Sequence, residues 1–156
     1  MSLYLFALLI GVVSGLRTFT APAAVSWAAF LGWLHLKGSP LGFLSAVATP
    51  YVLSFLALGE LVADKLPRTP SRKAPVGFGA RIVSGAFCGA AIAMAGGGVW
   101  IVGLVAGAAG AVIGTLGGYE LRVRLVKAIG GRDLPIALLE DACAIGAAFL
   151  IVTAAA

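Results

Sequence analysis

The chain has 156 residues, of which 61% are hydrophobic and 22 are glycine, and only 11% are charged; a soluble domain carries about 25% charged residues. Eleven basic and six acidic side chains cannot cover the surface of a water-soluble globule of this size, so the bilayer is the expected solvent. This composition excludes a soluble enzyme, a disulfide-stapled secreted module and a disordered chain. It predicts an all-α membrane protein folded as one polytopic transmembrane domain over residues 1–156.

Five apolar segments follow one another: Leu3 to Leu34, Leu41 to Lys65, Val76 to Ala95, Val99 to Tyr119 and Leu134 to Thr153. Each reaches the roughly 20 residues that a helix needs to cross the hydrocarbon layer, which predicts about five transmembrane helices. The first segment is too long for one simple crossing, and Pro22 denies the carbonyl of Thr18 its helical partner. A long first helix kinked at Pro22, or unwound between Arg17 and Pro22, is expected, with Thr18 and Pro22 as its hinge. No cation precedes this segment and Arg17 follows its start, so it reads as a retained helix rather than a signal peptide.

Punctuation marks the helix ends. Gly38-Ser39-Pro40 closes the first segment, Pro67, Pro70 and Pro75 bracket the second loop, and Gly96-Gly97-Gly98 makes a tight turn. Asp133 ahead of Leu134-Pro135 reads as an N-cap with proline in the first turn. The fourth segment carries glycine at 103, 107, 110, 114, 117 and 118, and the third adds Gly85 and Gly89. A glycine stripe lets backbones approach closely where lipid offers no hydrophobic drive for association; the alternative is a thin-walled conduit. Cys88 and Cys143 lie within predicted helices without metal-ligand spacing, and His35 stands alone at a helix end. No disulfide, metal site, cofactor or catalytic constellation is expected.

The net charge of +5 is accounted for by topology rather than nucleic acid. With five crossings, Lys65, Arg68, Arg72, Lys73, Arg122, Arg124, Lys127 and Arg132 fall on one face and only Lys37 on the other. The positive-inside bias then predicts a multi-pass protein of the bacterial inner membrane, with a cytoplasmic N-terminus and basic loops and the C-terminus outside. A two-helix internal repeat is also legible. Gly15-Leu16-Arg17 and Gly79-Ala80-Arg81 are followed by Gly59-Glu60-Leu61 and Gly118-Tyr119-Glu120-Leu121 at similar distances; chance similarity in a glycine- and alanine-rich chain competes with that reading.

An ionisable side chain near the bilayer centre costs at least about 2.5 to 3.5 kcal/mol on insertion scales, so each such group needs a partner or a wet cavity. Glu120 and Arg124 are four apart and can pair with each other. Glu60 and Asp64 are also four apart but repel, and Glu140 and Asp141 have no cation three or four residues away on their own helix. With Arg17 and Arg81 these four acids form the candidate ion- or solute-binding set: Arg17, Glu60, Asp64, Arg81, Glu140 and Asp141. Four acids against two bases leave two negative charges, which invite a cation or hold a proton.

Gly15-Leu16-Arg17-Thr18, Ala21-Pro22-Ala23-Ala24, the stretch from Glu60 to Pro75 (ELVADKLPRTPSRKAP), Ala80-Arg81 with Ser84-Gly85-Ala86, and Leu139-Glu140-Asp141-Ala142 together resemble the small bacterial integral membrane proteins grouped as domain of unknown function 4126. The resemblance spans nearly the whole chain, is most specific around Glu60, and implies a bacterial inner-membrane protein with no activity to carry over.

The leading expectation is a transporter or channel-like protein for a small solute or ion with a buried Arg/Glu site, embedded in the lipid bilayer, with a small solute or cation as its partner. A chain this short leaves little room for alternating access, which predicts a homo-oligomer. The alternative is a non-transporting scaffold or accessory subunit of a membrane complex. A lipid-directed enzyme ranks third because no His or Cys constellation, nucleotide-binding glycine loop or recognisable metal motif is present.

Overall fold

The computed structural model describes residues 2–65 and 74–156. The chain is all-helical, with six α-helices among the described residues: α1 (Ser2–Leu16), α2 (Thr20–Phe30), α3 (Ala48–Ala63), α4 (Pro75–Ala95), α5 (Trp100–Ala128) and α6 (Asp133–Ala154), and a short 3-10 turn over Gly42–Ser45. Arg68, Arg72, Lys73, Pro67 and Pro70 lie outside the described residues.

Three helices have the length and apolar composition to cross a membrane: α4, α5 and α6. At 1.5 Å per residue, their 21, 29 and 22 residues span about 31, 43 and 33 Å. The other apolar helices, α1 with 15 residues and α3 with 16, reach only about 22 to 24 Å. The first apolar segment is interrupted between Leu16 and Thr20, and Pro22 sits in the first turn of α2. There its missing N–H would have no intrahelical partner in any case.

Direction follows from which residues meet. Tyr4 accepts a hydrogen bond from the backbone of Val99 at 3.0 Å, and Leu3 packs on Gly96 and Gly98. Farther along, Gly11 meets Gly107 and Gly15 meets Ala111 and Thr115, so α1 runs parallel to α5. Gly89 faces Gly103 and Gly85 faces Gly107, so α4 runs antiparallel to both. The helix α3 opposes α2, with Trp27 donating to Ser54 at 2.9 Å and Glu60 bound near the start of α2. Because Arg122 of α5 reaches Asp133 at the start of α6, these two helices are also antiparallel.

One end of the bundle therefore holds the break after α1, the close of α3, the start of α4 and the α5–α6 turn. The opposite end holds the Gly96–Gly98 turn, the 31–47 connection, the start of α1 and the close of α6. The expected placement of the N-terminus with the basic loops assumed that the first apolar segment crosses once. The chain turns back at Arg17 instead, so the beginning of α1 lies away from Lys65 and the α5–α6 turn.

The glycine stripe packs backbone against backbone. α1, α4 and α5 form the most extensively packed group. A Cβ at Gly107 would run into the carbonyl of Gly85, at Gly110 into that of Leu8, and at Gly114 into that of Val12. Carbonyls that close leave no methyl's width between helices, the arrangement that favours van der Waals association in lipid. The stripe is used only in part, because Gly117 has open space around it. At the turn, Gly97 has φ 71°, a left-handed conformation that glycine adopts without a Cβ penalty.

A second cluster joins α1 and α4 to α2 and α6 through Ile10, Val13, Val25, Ile92, Ala144 and Ala148, closed at one end by Leu34, Leu36 and Leu44. Ser26 donates to the carbonyl of Leu44 at 2.7 Å and so fastens the 31–47 connection to α2. Cys88 is buried, Cys143 is exposed, and both are free thiols.

Candidate functional site

Arg17 begins where α1 ends. Its backbone N–H still bonds back to Val13 at 2.8 Å, but the next helical turn does not form. Thr18 and Phe19 therefore present N–H groups that an uninterrupted helix would have satisfied internally. Glu60 of α3 takes both: Oε1 accepts from Thr18 N–H at 2.7 Å and Oε2 from Phe19 N–H at 2.9 Å. A carboxylate at a helix N-terminus also meets the positive end of the helix dipole. From the other side, Ser84 of α4 donates its hydroxyl hydrogen to the carbonyl of Thr18 at 2.6 Å. The break is therefore held by two other helices.

The Arg17 side chain is fully buried and bridges two helices. One terminal nitrogen binds Asp64 Oδ2 at the close of α3, and the other binds Asp141 Oδ1 in α6. Lys65 adds its Nζ at 3.2 Å from Asp141 Oδ2. Two cations and two carboxylates thus meet where α1, α3 and α6 converge. Removing one of a buried pair would leave its partner uncompensated in low dielectric.

Glu140 belongs to a neighbouring network. Arg122 of α5 donates to both carboxylate oxygens of Asp133, at 2.8 and 2.6 Å, and to Glu140 Oε2 at 3.4 Å. Arg122 also lies within electrostatic reach of Asp64, so the two networks adjoin. A cavity of about 140 Å³ opens beside them, lined by Leu16, Gly118, Leu121, Ile136 and Cys143 among others. Asp133 is the first residue of α6 rather than its N-cap, a place taken by Arg132 with no side-chain capping bond. The carboxylate is drawn to Arg122 instead.

Arg81 is buried in α4, and its carbonyl accepts a hydrogen bond from Ser14 of α1 at 3.4 Å. Of the six residues chosen from the sequence, Arg17, Asp64 and Asp141 share direct ion pairs. Glu60 touches the same break through Thr18, the expected hinge residue. Glu140 faces Arg122.

Arg17 sits at the end of α1, level with Glu60, Asp64 and Asp141. The two unbalanced acids acquire Lys65 and Arg122, which the sequence reading had assigned to loops. A signal for Arg122 was available: α5 continues unbroken to Ala128, with no proline or glycine between Tyr119 and Ala128 to end it, so Arg122 remains a helical residue with a fixed direction.

The arrangement holds Arg17, Lys65, Asp64 and Asp141 together beside the glycine-packed helices. Among the described residues, no group of three or more His, Cys, Asp or Glu side chains is placed to hold a metal ion. No curated protein and no solved structure matches the chain. A family model described as a domain of unknown function, DUF4126, matches residues 4–156. The small, glycine-packed chain with its buried Arg17 cluster therefore belongs to the DUF4126 family.

Proposed function

We propose that this chain is a bacterial inner-membrane protein that binds a small solute or cation at the Arg17–Asp64–Asp141 cluster and passes it across the bilayer. The observation that carries the reading is the position of the fully buried Arg17, at a helix interruption, bound by carboxylates from two other helices. Interrupted helices in lipid are tolerated against protein or a wet cavity, and transporters build their sites from them. An ionisable group at membrane depth is by default a functional group. With the basic end in the cytoplasm by the positive-inside tendency, both termini face the opposite side. The chain then reverses at the break, α1 and α2 (15 and 11 residues) forming a short pair on either side of it, each shorter than a full crossing, with Thr18 as the hinge. A homo-oligomer supplies the surface that so small a protomer lacks.

The test is flux in proteoliposomes, with wild type compared with D141N and E60Q under imposed gradients of small ions. Fold is followed in parallel by thermal unfolding and gel filtration. Loss of flux in folded variants supports the reading; wild-type flux no greater than that of empty liposomes overturns it.

A second reading, a non-transporting scaffold or accessory subunit, draws on a different observation: α1, α4 and α5 are locked backbone to backbone by Gly85, Gly107 and Gly110. Absence of flux together with loss of assembly in D141N favours it.

A further inference from the structure

One carboxylate oxygen in the polar cluster is incompletely satisfied. Asp141 is 6% exposed; its Oδ1 is held by Arg17, while its Oδ2 is buried and accepts no hydrogen bond among the described residues. The charge facing that oxygen is the ammonium of Lys65, 3.2 Å away and placed off the line of a hydrogen bond. Lys65 follows α3 directly, in the turn where its own N–H bonds to the carbonyl of Val62 at 3.1 Å, and its side chain is one-third exposed, at 32%. The ammonium therefore arrives at a buried carboxylate on a flexible stem anchored at the rim.

We propose that Asp141 Oδ2 is the binding position for an ammonium-type cation, ammonium itself or a primary amine, and that Lys65 occupies it when no such cation is bound. This rests on the reading of the cluster as a solute site and gives that solute a chemical class. An anion is disfavoured because Glu60 takes the N–H groups of Thr18 and Phe19 and Asp64 and Asp141 take both terminal nitrogens of Arg17, which leaves the guanidinium only its buried Nε without an acceptor among the described residues. A metal ion is disfavoured because hard cations ask for several oxygen ligands, and the described residues offer no cluster of three candidate side chains. A small N–H donor needs only an acceptor and room, and Nζ already stands where such a donor would. The exchange conserves charge, since one ammonium enters as another swings to the rim, where a lysine stem can keep its head in the polar zone. An ion pair with one partner a third exposed is partly screened and worth little to break, so the exchange is within reach of a weakly bound solute.

The experiment uses full-length protein in detergent micelles. In K65M Asp141 Oδ2 loses its ammonium while Oδ1 keeps Arg17, and the unfolding temperature falls by about one to two degrees. Ammonium or ethylammonium chloride restores most of that loss, whereas tetramethylammonium chloride, equal in charge but lacking N–H donors, does not. D141N/K65M responds to none of them. Should K65M fold too poorly to study, wild-type protein carrying 13Cε-lysine serves instead. The Lys65 signal, identified by comparison with K65R, moves on titration with ammonium chloride and stays still with tetramethylammonium chloride. Equal effects of the two salts, or no effect of either, overturn the proposal. Ammonium binding without ammonium flux supports the site while overturning transport. Flux abolished by D141N without an ammonium-specific response overturns the cation class alone.

Discussion

Glu60 bonds to Thr18 through a protein main chain rather than through a side chain: a carboxylate from α3 occupies the backbone N–H of a residue 42 positions earlier, and the adjoining N–H of Phe19 completes the pair. The interruption between α1 and α2 thus depends on a charged group outside either helix.

Replacing Glu60 tests that dependence. E60Q keeps one acceptor oxygen and loses the second bond and the charge, and E60A loses both bonds. Leaving buried N–H groups unsatisfied costs about 1 to 3 kcal/mol each, so E60A should unfold at lower temperature than E60Q, and E60Q lower than wild type. Thermal or denaturant unfolding in detergent gives the order; E60A as stable as wild type would mean that water satisfies the break.

Arg17 should be the most sensitive of the charged positions. R17M removes the guanidinium that joins Asp64 to Asp141, and breaking one partner of a buried pair costs about 3 to 5 kcal/mol. R17K should recover little, because one ammonium cannot reproduce two nitrogens diverging to two carboxylates. Combining R17M with D64N and D141N should cost less than the sum of the separate changes. Additive losses would show that these residues do not act as a unit.

Glycine replacements should sort by helix face. G107A puts a methyl group against the carbonyl of Gly85, while Gly117 and Gly146 have open space where a methyl would go. G107A should destabilise or block the fold. G117A and G146A should be neutral or stabilising by up to about 1 kcal/mol, the difference in helix propensity between glycine and alanine. Yield and unfolding temperature of the three variants decide the matter.

The arrangement of chain ends can be read by labelling. In a C88A/C143A background, single cysteines near residue 3 and residue 155 should react with a membrane-impermeant maleimide from the same side of oriented vesicles. A cysteine at residue 130 should react from the other side. Labelling of positions 3 and 130 from one side would contradict the parallel course of α1 and α5.

Much of this architecture was legible in the sequence because its causes are local. α4, α5 and α6 follow from long apolar runs, and the turn between α4 and α5 follows from three consecutive glycines. The use of Gly85, Gly89, Gly103 and Gly107 in packing follows from their three- and four-residue spacing. What was hidden depends on chain direction. An apolar run from Leu3 to Leu34 has the same composition whether it crosses once or turns back, and no propensity at Arg17 distinguishes the two. The pairing of Arg17 with Asp64 and Asp141 spans 47 and 124 residues, far beyond helical spacing, and Lys65 looked like a loop cation because proline follows two residues later.

The start of α1 and the close of α6 lie at the same end of the bundle, which has a practical result. A linker from the close of α6 in one copy to the start of α1 in another stays at that end, so tandem fusions can be built without adding a helix. Such fusions fix stoichiometry: one copy can carry D141N while its covalent neighbour stays wild type, and the activity that remains counts how many intact clusters an assembly needs.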